Sequence, residues 1–342
     1  MRVSVHELKP GYVVSKNVFV KSANPLIESG TVLDARHIAF LKAFLIRLID
    51  VKDVDSDVEN APEQQESGQM YRHAVETYGH FFSEWQTGGG IDIGRFRQVM
   101  VPALNHILDD PVWLAHFLLS GAADRSQMDH NVALGVLSAF LARKLNFVRG
   151  DIHQVGLSGM LADCGMAKFP PSQLNKGEND DGAQRAWHAK HVLYSYKMVR
   201  GISTLTEDAM LAVVQHHERE DGSGFPLHLK GDKINLYGKI LAVCDSFLDY
   251  QAEMPAENPV SVLEALAHQS YRRLSGFLTE KFISGIMMLF IGMSVVLTNN
   301  QKGKIVFIPD KDPLRPFIQS ADGSRIFSLE KNPTLRVIRI VS

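Results

Sequence analysis

His216-His217-Glu218, running into Asp221-Gly222-Ser223-Gly224-Phe225-Pro226, is the stretch on which the reading of this chain turns. Two adjacent imidazoles, three acids and a Gly-Ser-Gly turn fall within eleven positions. Imidazole and carboxylate are the common ligands of Zn²⁺, Fe and Mn²⁺ in catalytic sites. On either side of it, Ala209–Val214 and Ile240–Leu248 carry apolar residues at helical spacing. The double histidine therefore ends one helix, and the glycine turn leads towards the next.

The same periodicity extends from about Tyr71 to Met288. Val132, Leu134, Val136, Leu137, Phe140, Leu141 and Leu145 recur at steps of three and four, as an amphipathic helix requires. Ile152–Leu161 and Leu193–Val199 repeat the pattern. Before this region, Tyr12-Val13-Val14, Val18-Phe19-Val20 and Ile46–Val51 read as strands, with Asp34 capping a short helix through Phe44. Glu59 to Gly68 is polar and aperiodic and reads as a linker. After it, Val295-Val296-Leu297, Lys304–Ile308 and Arg336–Val341 have strand chemistry, with turns at Gly303 and Asp322-Gly323. The fold class expected is mainly α, a central helical bundle with a small N-terminal α+β module and a C-terminal β-rich module. The division is 1–57, linker 58–70, helical domain 71–290 and C-terminal module 291–342.

Composition bounds the function. The chain has 342 residues, 45% of them apolar, enough for a large core. A formal net charge of −2 gives no global attraction for polymeric nucleic acid, so an anionic ligand must be held by local metals or a few cations. Cys164 and Cys244 form neither a zinc pattern nor a disulfide framework and read as small buried residues in a reducing compartment. No charged segment followed by an apolar one opens the chain, so no secretion signal is expected. The apolar run Phe282–Leu297 is shorter than the roughly 20 residues of a spanning helix. It reads as a buried helix entering a strand, in a cytoplasmic protein with no membrane insertion.

Candidate ligands spread over the helices in an orderly way. His130 opens one, Asp163 closes another, His191 lies in a third, His216-His217 end a fourth and Asp245 sits in a fifth. Helical bundles build di-metal sites from such inward ligands on separate helices. Asp245 lies in an apolar stretch, where a carboxylate needs a partner.

These segments resemble the HD-GYP family, the HD-domain phosphohydrolases that hydrolyse the bacterial second messenger cyclic di-GMP. The resemblance covers roughly His130 to Tyr250. It rests on His130-Asn131-Val132-Ala133, Leu161-Ala162-Asp163-Cys164-Gly165, His191, and His216-His217-Glu218 to Phe225-Pro226. Leu229–Asp232 and Lys239–Asp245 complete it. It implies an HD-type bundle with His130, Asp163, His191, His216, His217 and Asp245 as ligands of one or two divalent ions (Fe, Mn or Zn). Asp163 would bridge the ions and, with His216 and His217, carry the chemistry that opens cyclic di-GMP to pGpG or GMP. Gly222 and Gly224 would let the turn approach substrate, and Phe225 stands in the aromatic place of the family's tyrosine.

The chain departs from the family at four charged positions. The histidine expected before Asp163 is Ala162, and the lysine three residues after Asp163 is Met166. The substrate arginine and lysine beyond Asp245 are Met254 and Glu257. A cation that no longer hydrogen-bonds the phosphate forfeits about 1.5–3 kcal/mol. Lys168, Lys239 and Arg219 are the candidate replacements, and His188, three residues before His191, is a candidate for the missing imidazole. The half-site of Asp163, His191, His216 and His217 is complete, so one metal is expected more firmly than two. The rival expectation is an inactive signalling module that binds a nucleotide in the same pocket or a partner protein. The N-terminal module is the candidate protein-docking element.

Overall fold

The computed structural model describes residues 2–5, 8, 12–16, 18, 27, 31, 33, 35–43, 46–52, 62–120, 126–170, 182–254, 258–269 and 271–341. It divides into two compact units, Pro62–Leu289 and the two terminal segments Met1–Ala61 with Phe290–Ser342.

In the terminal unit, β1 (Arg2–Ser4), β2 (Val13–Val14) and β3 (Leu48–Lys52) form an antiparallel sheet in the order β1-β3-β2, with α1 at Ala35–Ala43. Val5, Leu33, Leu41 and Val51 are buried in its core. Val18 makes only an isolated bridge to Ile27. Asp34, Phe19 and Val20 lie outside the described residues. The second sheet is antiparallel, with β4 (Ser294–Leu297), β5 (Lys302–Phe307), β6 (Phe317–Ser320), β7 (Ile326–Ser328) and β8 (Val337–Val341) in the order β7-β6-β5-β4-β8. Gly303 is not a turn. It lies inside β5, where a side chain would run into Ile318 of the neighbouring strand. The turn before it closes at Asn300, whose positive φ of 64° suits asparagine.

The other unit is helical. Its first helix, α2 (Pro62–Gln86), begins inside the stretch read as a linker, with proline at a first-turn position. Ser67 and Gly68 are buried there, and Ser67 Oγ donates to Asp110 Oδ2 at 2.7 Å. Next come α3 (Ile93–Asp109), α4 (Pro111–Leu119) and α5 (Gln127–Lys144). After these follow α6 (Arg149–Leu161), a 3₁₀ turn at Cys164–Lys168, α7 (Gly182–Val199) and α8 (Glu207–Gln215). The last three are α9 (Leu236–Glu253), α10 (Pro259–Gln269) and α11 (Gly276–Leu289). Side-chain caps set several starts, among them Ser126 on Asp129 N (3.1 Å), Thr206 on Ala209 N (3.2 Å) and Asn235 on Tyr237 N (2.8 Å).

The run from Asn131 to Ala142 in α5 is buried on every side. That exceeds the one-sided stripe read from sequence, because α2, α3, α6, α9 and α11 all pack against it. Gly135 and Gly159 let α5 and α6 cross closely, since a Cβ on either would meet the opposing helix within 3.0 Å. The helix that carries His130 and the helix that ends just before Asp163 are thereby held together. Among the described residues, no helix is long and apolar enough to cross a membrane.

Candidate metal centre

Asp163 stands just past the end of α6, at the entry to the 3₁₀ turn. Two residues on, Gly165 meets α7 backbone to backbone. Its N–H donates to Ser195 Oγ at 2.8 Å, and a Cβ there would strike the carbonyl of His191. This close approach brings His191, one turn before Ser195, to Asp163 with Nε2 3.0 Å from Oδ1. His216 caps α8, and its Nδ1 lies 2.8 Å from the carbonyl of Val213. A carbonyl only accepts, so Nδ1 carries the proton and Nε2 turns inward, 3.4 Å from Asp163 Oδ1. His217 follows, its ring centroid 4.0 Å from that of His216 and 5.1 Å from that of His191. Donor atoms of Asp163, His191, His216 and His217 all lie within 4.8 Å of one another.

The cluster suits a cation. Asp163 Oδ1 and His216 Nε2 are buried without a hydrogen-bond partner. An unsatisfied buried polar atom costs about 1–3 kcal/mol, which a shared cation removes. Asp163 Oδ2 accepts from Gln127 Nε2 at 3.1 Å. With the Asn131 amide turned so that its oxygen accepts from the Tyr78 hydroxyl (2.9 Å), its nitrogen lies 3.2 Å from the same Oδ2. Burial alone would raise the Asp163 carboxyl, but the neighbouring His191 and His216 outweigh it and hold it well below the usual carboxylate range. Burial and then the adjacent His216 push His217 well below the ordinary imidazole value, so its ring is neutral and able to ligate.

The other two expected ligands stand apart from this group. His130 Nε2 and Asp245 Oδ1 pair at 3.1 Å, and His217 Nδ1 lies 3.4 Å from Asp245 Oδ2. Burial opposes charge on His130, but Asp245 outweighs it and moves the imidazole up to about 9. Ala162, fully buried, brings no donor to this side. The side chain of His188 lies outside the described residues.

The glycine turn is fastened to the segment that carries the double histidine. Glu218 is buried, and its carboxylate accepts from Leu227 N (2.6 Å) and Leu229 N (2.9 Å). Phe225 N donates to the His217 carbonyl at 3.2 Å, and the Phe225 ring centroid lies 4.7 Å from that of His217. Both turn glycines are required by this packing. Gly224 has no room for a Cβ beside the His217 carbonyl, and Gly222 sits at φ +81° against Lys230.

The expected substrate lysines are otherwise engaged. Lys168 Nζ donates to the Trp85 carbonyl at 2.7 Å, and Lys239 pairs with Glu220 at 3.0 Å. Arg219 donates to the carbonyls of His216 (3.2 Å) and Glu218 (3.0 Å). It also lines a cavity of about 180 Å³ with Ser246, Asp249, Tyr250, Glu253 and Arg273. His153 is half-buried, its Nε2 2.7 Å from Asn105 Oδ1. Cys164 and Cys244 are buried, and burial pushes the Cys164 thiol up to about 12. Sequence reasoning assigned no role to Gln127, Tyr78 or Arg273. Gln127 was open to inference, since it lies one helical turn before Asn131 on the ligand-bearing helix.

Residues 117–274 match the family model described as HD domain. That part of the helical unit is therefore an HD domain. A cyclic di-GMP phosphodiesterase of Pseudomonas aeruginosa is 27% identical over 188 residues, covering 54% of this chain and 45% of that protein. A 3'3'-cGAMP-specific phosphodiesterase of Vibrio cholerae is 26% identical over 189 residues, covering 52% and 41%. Within its superfamily the domain is of the HD-GYP type, with Ala162 in place of the motif's histidine. The chain spans less than half the length of these two relatives. Among solved structures, an HDG"Y"P protein from Bdellovibrio bacteriovorus matches with a TM-score of 0.45 at 14% identity, covering 82% of this chain and 97% of that one.

Proposed function

We propose that this chain is a metal-dependent phosphodiesterase that opens cyclic di-GMP to pGpG or GMP, working with one divalent ion held by Asp163, His191, His216 and His217. The observation that carries this reading is the convergence of those four donors within 4.8 Å, with His216 locked in the tautomer that points Nε2 inward. Nitrogen-rich ligation of this kind suits Fe, Mn or Zn. An ion bound there polarises a phosphoryl oxygen and lowers the pKa of a water. Gln127 holds Asp163 in place, and Glu218 holds the turn that carries Phe225 against His217. His130 is paired with Asp245 on the side where Ala162 removes a ligand.

A second reading, a nucleotide-binding signalling module without turnover, is favoured by the engagement of Lys168 and Lys239 together with Ala162 and Met166. Metal analysis of the purified chain beside chromatographic assay of cyclic di-GMP hydrolysis separates the two. The enzyme reading expects about one ion per chain and a linear product that disappears in His191→Ala. Metal-loaded chain that binds cyclic di-GMP and never opens it supports the signalling module instead.

A further inference from the structure

The cavity beside the metal cluster mixes charges in a way that a phosphate site would not. Ser246, Asp249, Tyr250 and Glu253 occupy positions i, i+3, i+4 and i+7 of α9, so they form one stripe. The stripe starts one residue after Asp245 and runs away from it. At 1.5 Å per residue, Glu253 stands about 12 Å along the helix from that carboxylate. The same cavity is lined by Arg219, two residues after His217, and by Arg273, from the loop between α10 and α11. The Arg273 carbonyl accepts from Glu220 N at 2.8 Å, which fastens that loop to the segment following the double histidine.

Two guanidinium groups with the Glu253 carboxylate and the Asp249 carboxyl give a lining of mixed donors and acceptors rather than a site of one sign. Phosphate would meet Asp249 and Glu253, and an ammonium group would meet Arg219 and Arg273. A guanine base matches both at once. Its O6 and N7 are adjacent acceptors suited to arginine, and its N1–H and N2–H₂ are adjacent donors suited to a carboxylate. Adenine presents an N6 donor in place of O6, which sets donor against donor at the arginines.

We propose that this cavity is a guanine-edge subsite, with Arg219 and Arg273 on O6 and N7, Glu253 on N1 and N2, and the Tyr250 ring as an apolar wall. The proposal rests on the cyclic di-GMP reading above and adds which residues recognise a guanine base. It also gives the two arginines a role that does not copy the substrate cations replaced by Met254 and Glu257.

The test uses the full metal-loaded chain and mononucleotides, so that turnover is not required. Calorimetric titration with GMP and AMP is expected to show GMP bound at least tenfold more tightly, since a correct bidentate pair discriminates by roughly ten- to a hundredfold. Glu253→Gln and Arg273→Gln should each erase most of that preference while metal content stays at the wild-type value. Glu253 and Arg273 are exposed, and thermal melts check that both variants are folded. Equal affinity for GMP and AMP, unchanged in both variants, overturns the subsite and leaves the phosphodiesterase reading standing. Failure to bind GMP, AMP or cyclic di-GMP at millimolar concentration overturns both.

Discussion

Gly165→Ala is the most searching single change, because the four-donor cluster depends on how closely α7 approaches the turn that carries Asp163. A methyl group at Gly165 would lie 2.8 Å from Ser195 Oγ and still closer to the His191 carbonyl and Ser195 N. Two of these three neighbours are backbone, so neither can rotate away, and α7 must move. Overpacking of this kind costs about 1–3 kcal/mol. The hydrogen bond from Gly165 N to Ser195 Oγ, at 2.8 Å, is stretched as well, which adds about 0.5–1.5 kcal/mol. The expected loss is about 2–4 kcal/mol, or roughly 4–16 °C in Tm for a unit of this size. His191 moves with its helix, so metal affinity should fall about 10–100-fold, as it does when the support of a ligand is disturbed. Ser195→Ala is the control, since it removes the hydrogen bond and leaves the spacing intact. Thermal melts and metal titration of both variants read the two effects. If Gly165→Ala holds metal as tightly as the parent, close helix approach does not build the site and the reasoning fails.

Two further changes and one labelling experiment probe other parts of the molecule. Ala162→His places an imidazole beside Asp163 on the side of His130 and Asp245, and metal content by mass spectrometry is expected to rise from about one ion per chain towards two. Because Ala162 is fully buried, the same variant should lose about 1–3 kcal/mol in the metal-free state. Glu218→Ala leaves the N–H groups of Leu227 and Leu229 without their acceptor, at a cost of about 2–5 kcal/mol. Hydrogen exchange should then show those two amides losing protection while α5 and α6 keep theirs. Cys164, buried with its thiol pushed up to about 12, should stay unreacted with a thiol reagent at pH 8 until the chain is unfolded. Fast labelling of the folded protein would show that the wall behind Asp163 is open.

The helical unit was legible because its signal is local. Apolar spacing, cap residues and the order of the ligand-bearing segments can each be read within one or two turns. Where that signal is absent, the reading failed for identifiable reasons. The start of α2 has no apolar stripe, since Ser67 and Gly68 are small residues buried at a close contact, so it resembles a linker. Gly303 reads as a turn because glycine usually breaks a strand, yet here its missing side chain makes room for Ile318 on β6. The strands β6 and β7, four and three residues long, are too short to show alternation against Pro313 and Pro316.

At the site, ligand identity was readable but charge availability was not. Lys168 and Lys239 are cations near the right motifs, and their engagement depends on partners fixed only by the fold. Trp85 is 83 positions from Lys168, and Glu220 meets Lys239 from the far side of the glycine turn. The same limit explains the asymmetry of the two half-sites. Asp245 is buried in an apolar helix and must have a partner whether or not a metal is present. With alanine at position 162, one donor to that side is gone, and the nearest group able to satisfy the carboxylate is His130, which takes up the charge itself. Asp163 differs in its company, since three imidazoles and an amide surround it, whereas Asp245 has His130 on Oδ1 while its Oδ2, like Asp163 Oδ1, has no hydrogen-bond partner. Alanine at position 162 thus leaves the other half with the His130–Asp245 pair and one imidazole fewer than the resemblance implies.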